Sequence, residues 1–288
     1  MFAPDLLAGK VVLVTGGGSG LGLAIARRVA ELKARVFIVG RRADRLAEAS
    51  ALIREAGGTC GFAACDVRDP AAVDTAISAA ETDVGRVDAL VNAAAGNFLA
   101  RTETLSPNAF SSVVGIVLHG TFHCTVALGR RWIAAGRPGS VLNIVTTYAE
   151  SGSGFVVPSA CAKAGVLAMT RSLAVEWARY RIRVNAIAPG PFPTPGAWSR
   201  LLTHEADAER LKRVHPMGRF GRHDELGDLA AFLLAPQADY INGECVVIDG
   251  AMRFAGGGFN HLRECSEDEW RARDAARAGA ATASRGGR

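Results

Sequence analysis

Seven short apolar runs, at residues 11–14, 36–39, 61–65, 89–91, 141–145, 184–187 and 246–248, alternate along the chain with longer stretches of helical spacing. Most of these runs are continuous in Val, Ile and Leu, without a polar residue at every second position. Strands covered on both faces have this pattern. The stretches between them, 21–32, 46–55, 71–81, 110–134, 161–179 and 225–234, carry apolar residues three and four apart. Such alternation predicts an α/β fold built on one doubly wound parallel sheet. Two regions depart from it. Residues 189–218 hold Pro189, Pro191, Pro193 and Pro195 and then a polar helical stretch, too long for an ordinary connection; they are predicted to form a loop and helix that cover a substrate. Residues 271–288, rich in Ala, Arg and Gly, are predicted to be a disordered tail, with 259–270 packing before it.

Composition narrows the function classes. Hydrophobic residues make up 49% and charged residues 21%, enough apolar material for a core. No run of about 18 uncharged apolar residues predicts a membrane helix, and residues 1–10 are too short for a signal peptide. The net charge of +5 is partly carried by Arg277, Arg285 and Arg288 in the tail, so no nucleic-acid partner is expected. Six cysteines, at 60, 65, 124, 161, 245 and 265, show no paired spacing and read as buried free thiols of a reducing compartment. His119 and His123 lie four apart with no acidic partner nearby, and no metal site is expected.

The first apolar run ends at Thr15 and enters Gly16-Gly17-Gly18-Ser19-Gly20-Leu21-Gly22, which opens the helical stretch 23–32. A strand, a glycine turn and a helix in this order suit a pyrophosphate: glycines allow close approach, and the helix N-terminus offers N–H groups and a positive dipole end. The other reading is a purely structural turn. The second run ends at Gly40-Arg41-Arg42. Where an NAD site carries an acidic residue for the ribose 2′-hydroxyl, two arginines suit a 2′-phosphate, which predicts NADP(H); the alternative is a solvated start to the next helix. After the third run, Asp66 and Val67 are placed to meet the adenine or to cap a turn.

With the glycine turn, Asn92-Ala93-Ala94-Ala95-Gly96 and Asn185-Ala186-Ile187-Ala188-Pro189-Gly190 in order, residues 8–250 resemble the short-chain dehydrogenase/reductase superfamily. The resemblance implies a Rossmann-type fold, hydride transfer with NAD(P)H and a homotetramer. It also makes residues 1–270 one NADP-binding reductase domain, and a cytoplasmic bacterial protein is expected. The superfamily signature is Tyr-x-x-x-Lys, whereas this chain reads Ser159-Ala160-Cys161-Ala162-Lys163. Tyr148, just after the fifth run, supplies the missing phenol. Residues 148–159, Ala94-Ala95-Gly96-Asn97-Phe98, Leu105-Ser106-Pro107-Asn108, Gly196-Ala197-Trp198-Ser199-Arg200 and Phe259-Asn260-His261-Leu262-Arg263 are similar to the 2,4-dienoyl-CoA reductase branch.

That similarity implies NADPH-dependent reduction of a 2,4-dienoyl-CoA to a 3-enoyl-CoA. Tyr148 and Asn97 would donate to the thioester oxygen, Lys163 would hold the nicotinamide ribose, and Ser159 would support them by hydrogen bonding. Gly16, Ser19, Gly20, Leu21, Gly22, Arg41, Arg42, Asp66, Val67, Ala94, Lys163, Pro189, Gly190 and Phe192 would line the cofactor. Arg68 and Arg200 would meet the CoA, and Phe98 and Ser106 the acyl or pantetheine path. His119 stands where the superfamily generally has Asn, and is read as a passive substitute that preserves a link to the lysine. Two other functions fit: a carbonyl or 3-ketoacyl reductase that uses Tyr148 as proton donor, and an NADP-binding protein without turnover.

Overall fold

Residues 2–194, 196 and 205–286 are described by the structure, a computed structural model. Seven strands form one sheet: β1 (Val11–Thr15), β2 (Arg35–Gly40), β3 (Thr59–Ala64), β4 (Ala89–Asn92), β5 (Gly139–Ile144), β6 (Ile182–Pro189) and β7 (Cys245–Ile248). All pairings are parallel, in the order β3-β2-β1-β4-β5-β6-β7. Each strand falls on one of the seven apolar runs. The reason for their unbroken apolarity is visible in β1. Val12 and Val14 face a layer with Ile25, Val29, Leu226 and Leu233. Val11 and Leu13 face the opposite layer, with Val73, Ile77, Leu128, Trp132 and Trp177. Neither face meets water, so neither tolerates polar alternation.

Helices α1 (Gly20–Glu31), α2 (Ala43–Glu55) and α3 (Pro70–Asp83) connect the first four strands. The Asp69 carboxylate accepts from Ala71 N at 2.9 Å, and Pro70 occupies the first turn, a start that suits Pro and Asp. From β1 the chain works outward through β2 to β3, then returns to β4 on the other side of β1. Thr15 is therefore in register with both Val39 and Asn92. A crevice opens beyond the carboxyl ends at such a reversal of strand order.

The stretch predicted as one helix, 110–134, is a longer and less regular one. It comprises α4 (Pro107–Val114), a π-helical turn (Gly115–His119) and α5 (Gly120–Ala134). Apolar periodicity extends across a π turn almost unchanged, which is why spacing alone misses it. By length and composition this 28-residue run would also cross a membrane; here Val113, Val117, Cys124, Leu128 and Trp132 are buried in the protein's own core. After β5 come α6 (Tyr148–Ser151) and α7 (Val157–Trp177), and β6 is followed by α8 (Glu205–Val214) and α9 (His223–Leu234).

The tail carries a helix, α10 (Glu267–Gly286). Ser266 Oγ accepts from Glu269 N at 3.3 Å and Glu269 Oε2 accepts from Ser266 N at 2.7 Å, a reciprocal cap. Ala and Arg then propagate the helix by intrinsic preference, and from Glu267 to Arg277 each residue is exposed. Within residues 259–270 the ends are exposed, Phe259 by 82% and Trp270 by 41%, while Asn260, Leu262 and Cys265 are half-buried and Arg263 Nη2 donates to Val214 O at 3.1 Å.

Candidate active site

The turn from β1 to α1 is held by contacts that leave its N–H groups available. Gly16 N donates to Val39 O at 2.8 Å. A Cβ on Gly22 would lie 2.5 Å from the Gly16 carbonyl oxygen, so only glycine lets the helix begin this close to the strand. Ser19 is the N-cap of α1, but its side chain makes no capping bond, and the first turn carries no acidic residue. The donors at this helix start are thus uncompensated from within, which fits a bound phosphate. Thr15 Oγ1 accepts from Ala93 N at 3.1 Å and Ala94 N at 3.0 Å. One hydroxyl on β1 therefore fixes the loop after β4, bringing Ala94 and Asn97 to the crevice.

Arg41 and Arg42 sit exposed at the end of β2, Arg42 as the N-cap residue of α2. Asp66 and Arg68 grip one another: Arg68 Nε and Nη2 reach the carboxylate at 3.0 and 2.5 Å, and Arg68 N donates to Asp66 Oδ1 at 3.0 Å. The Arg68 guanidinium, with Arg41 beyond it, holds the Asp66 carboxyl below its ordinary range. Val67 is buried against Gly120, so the π turn's end presses on this loop. Arg68, proposed by resemblance for CoA, thus has its charge matched by Asp66.

On the far side of the crevice three side chains meet. Asn97 Nδ2 donates to Tyr148 Oη at 3.2 Å, and Tyr148 Oη lies 3.3 Å from Ser159 Oγ. Asn97 Oδ1 accepts from Phe98 N at 2.9 Å, which orients the amide so that its NH₂ faces the phenol. A phenol has one proton and two lone pairs. Either hydroxyl of the Tyr148–Ser159 pair can donate; in the arrangement in which Ser159 donates, both lone pairs of Tyr148 Oη are used and the phenol proton is free to point outward. Ser159 opens α7 and Lys163 follows one turn later. Lys163 is buried, and its Nζ donates to the Ile144 carbonyl oxygen at the end of β5 rather than to Tyr148 or Ser159. Burial pushes its pKa down to about 8.

The remaining predicted residues take varied places. Pro189 ends β6, and Gly190 N donates to Ile248 O at 2.9 Å. The ring of Phe192 is buried against Gly221 in the core. Phe98 is half-buried against the cluster of Val113, Val117 and Val145. Ser106 Oγ caps α4, accepting from Ala109 N at 3.2 Å. Arg200 lies outside the described residues. His119 is exposed at the end of the π turn, its ring centroid 6.4 Å from that of His123, and makes no hydrogen bond to Lys163 or its neighbours. A polar chain that sequence reasoning passed over stands behind the site. Asn92 Nδ2 donates to Thr125 Oγ1 and Asn143 Oδ1, and Asn143 Nδ2 donates to Thr170 Oγ1, at 2.9–3.0 Å. Its marks in the sequence are Asn92, which opens the Asn92–Gly96 motif, and Asn143 inside an otherwise apolar run.

The model of the enoyl-(acyl carrier protein) reductase family matches residues 16–253. A probable 2,4-dienoyl-CoA reductase of Bacillus subtilis, named as (2E)-enoyl-CoA-producing, is 45% identical over 242 residues, covering 84% of this chain and 95% of its own. Probable 2,4-dienoyl-CoA reductase 3 of Caenorhabditis elegans, named as (3E)-enoyl-CoA-producing, is 42% identical over 275 residues, covering 92% and 88%. The chain belongs to the short-chain dehydrogenase/reductase superfamily. Among solved structures, a short chain dehydrogenase from Bacillus anthracis is 43% identical with a TM-score of 0.78, over 87% of this chain and 98% of its own. Within this superfamily fold, the geometry explains how serine can occupy position 159. The phenol enters from α6 instead of α7 and lands within hydrogen-bonding distance of that serine.

Proposed function

We propose that the protein reduces 2,4-dienoyl-CoA thioesters with NADPH, and that Tyr148 and Asn97 stabilise the oxygen on which charge develops. The observation that carries this reading is the linked set of Asn97 Nδ2, Tyr148 Oη and Ser159 Oγ beside the crevice. NADPH, when bound, supplies the hydride that goes to the δ carbon. The electron pair displaced from the γ–δ double bond then spreads over the γ carbon, the α carbon and the thioester oxygen as a dienolate. Tyr148 offers its proton to that oxygen, and Asn97, whose Nδ2 lies 3.2 Å from Tyr148 Oη, offers the second hydrogen of its NH₂. Two preorganised neutral donors stabilise a dienolate without neutralising it. Protonation of the α carbon leaves a 3-enoyl product, and of the γ carbon a 2-enoyl product. Lys163, beside the ribose, has two N–H groups beyond the one given to Ile144. Gly16, Ser19, Gly20, Leu21 and Gly22 cradle the pyrophosphate, with Arg41 and Arg42 on the 2′-phosphate. A cytoplasmic homotetramer accompanies this reading, supported by the exposed apolar side chains of Phe110, Phe122 and Val175 on the helices.

Purified protein, NADPH and a 2,4-dienoyl-CoA test the proposal through NADPH oxidation and loss of the dienoyl chromophore. Tyr148→Phe should lower turnover roughly hundredfold, the cost of one such donor at about 3 kcal/mol. Undiminished turnover by Tyr148→Phe would refute its role. Reduction of 3-ketoacyl-CoA but not of the dienoyl thioester would replace the activity with carbonyl reduction, and tight NADPH binding without any turnover would make the protein a binder.

A further inference from the structure

The two segments that carry the donors are tied together twice. Asn97 Nδ2 bonds Tyr148 Oη, and farther along both segments Ala100 N donates to the Phe155 carbonyl oxygen at 3.0 Å. Three residues of chain span at most about 11 Å, so Ala100 stays within that reach of Asn97. Leu99 and Phe155, one on each segment at this second tie, are 50% and 62% exposed. Their neighbours in sequence are taken up by the core: Phe98 packs on the cluster of Val113, Val117 and Val145, and Val156 is buried. Two large apolar side chains therefore stand outside the protein's own core, close to the Tyr148–Asn97 pair.

Phe155 is also strained. Its φ is +65°, a left-handed conformation that a bulky side chain adopts at a cost. Lys33 and Arg181 share the positive φ, but each closes the end of a helix, where a left-handed residue is common. Phe155 closes no helix. It follows the exposed stretch Gly152-Ser153-Gly154 and precedes Val156, the N-cap residue of α7. Glycine at this position would relieve the backbone and take a ring out of water, so the fold alone gives position 155 no reason to be aromatic. Strain that the surroundings impose on a residue collects at functional sites and ligand clamps.

We propose that Phe155 is a specificity-determining residue: with Leu99 it covers the alkyl tail of the acyl chain beyond the δ carbon, and so favours long chains over short ones. The inference rests on the dienoyl-CoA reading above. Carbons beyond δ take no part in the reaction. Covering them contributes binding shared by ground state and transition state, which appears in KM and not in kcat. A ten-carbon acyl chain extends about as far from its thioester carbon as three residues of backbone, and a six-carbon chain about half as far.

Steady-state kinetics of the full chain with deca-2,4-dienoyl-CoA and hexa-2,4-dienoyl-CoA, at saturating NADPH, test the role. Phe155→Gly keeps the left-handed backbone without strain. It should raise the ratio of the ten-carbon KM to the six-carbon KM about tenfold, as for two methylenes returned to water. Phe155→Leu, still apolar, should restore most of the wild-type ratio. Calorimetry on the NADP⁺-saturated protein with decanoyl-CoA and hexanoyl-CoA, whose chains are already saturated, should show the same shift in the ratio of Kd values. Melting temperature and native mass by light scattering should hold in Phe155→Gly. A fall in either would assign the ring to packing or to a contact between copies of the chain, and overturn the proposal. Equal losses for both chain lengths would overturn it too. So would an unmoved ratio in the folded variant while both dienoyl-CoAs are reduced, and the catalytic reading would then stand. Decanoyl-CoA binding that depends on Phe155, with neither dienoyl-CoA reduced, would keep the chain-length role and sink the catalytic reading instead.

Discussion

Lys163 gives the sharpest quantitative prediction. Its side chain is 6% exposed, its Nζ meets the Ile144 carbonyl, and burial lowers its pKa from 10.5 to about 8. A lowered lysine pKa means that the folded chain releases a proton that the unfolded chain keeps. Below pH 8 both states are protonated, and the folded state carries the whole penalty of burying the charge. Between pH 8 and 10.5 only the unfolded state is protonated, so stability climbs with pH; above 10.5 the contribution levels off. The difference between 10.5 and 8, at about 1.36 kcal/mol per pH unit, is a penalty of about 3 kcal/mol at neutral pH. Of this, about 2 kcal/mol should be relieved between pH 8 and pH 10. Urea unfolding of the wild type and of Lys163→Met at pH 7, 8, 9 and 10, at one fixed protein concentration, reads this directly, because other titrating groups cancel in the difference. The wild type should gain on the variant by about 2 kcal/mol between pH 8 and 10. A difference that stays flat across that range would refute the claim that the buried amine is forced toward neutrality.

Other consequences can be checked separately. Gly22→Ala puts a methyl 2.5 Å from the Gly16 carbonyl oxygen; overpacking of about 1–3 kcal/mol should lower Tm, and NADPH binding by fluorescence titration should weaken with it. Arg41→Ala combined with Arg42→Ala should raise the Kd for NADPH at least about tenfold while leaving that for NADH nearly unchanged; parallel losses for both cofactors would remove these arginines from the 2′-phosphate. A thiol reagent at pH 8 should modify Cys161, which is exposed, well before Cys60, Cys65 and Cys124, which are buried. Burial raises all three of those thiols, that of Cys65 to about 11, so rapid reaction of all six in the native protein would contradict the packing.

The β-rich half of the architecture was readable in advance because a strand covered on both faces has to be apolar throughout, and the seven runs therefore marked β1 to β7. The glycine turn was equally legible, since the close approach of Gly22 to Gly16 admits no side chain. Two helical assignments were not. The π turn Gly115–His119 leaves apolar spacing nearly intact, and α10 is stabilised by its Ser266–Glu269 cap and local propensity, neither of which shows as a hydrophobic face. Local sequence also reveals that a lysine and a phenol are present, but not which atoms they reach. Only tertiary packing brings Asn97 Nδ2 and Ser159 Oγ, on two other segments, to 3.2 and 3.3 Å from Tyr148 Oη. It also turns Lys163 toward Ile144, matches Arg68 with Asp66, and ties Phe155 to Ala100. The physical division is one of range: burial pattern and steric exclusion act on neighbours in sequence, whereas hydrogen-bond geometry and local charge depend on groups that meet only when the sheet assembles.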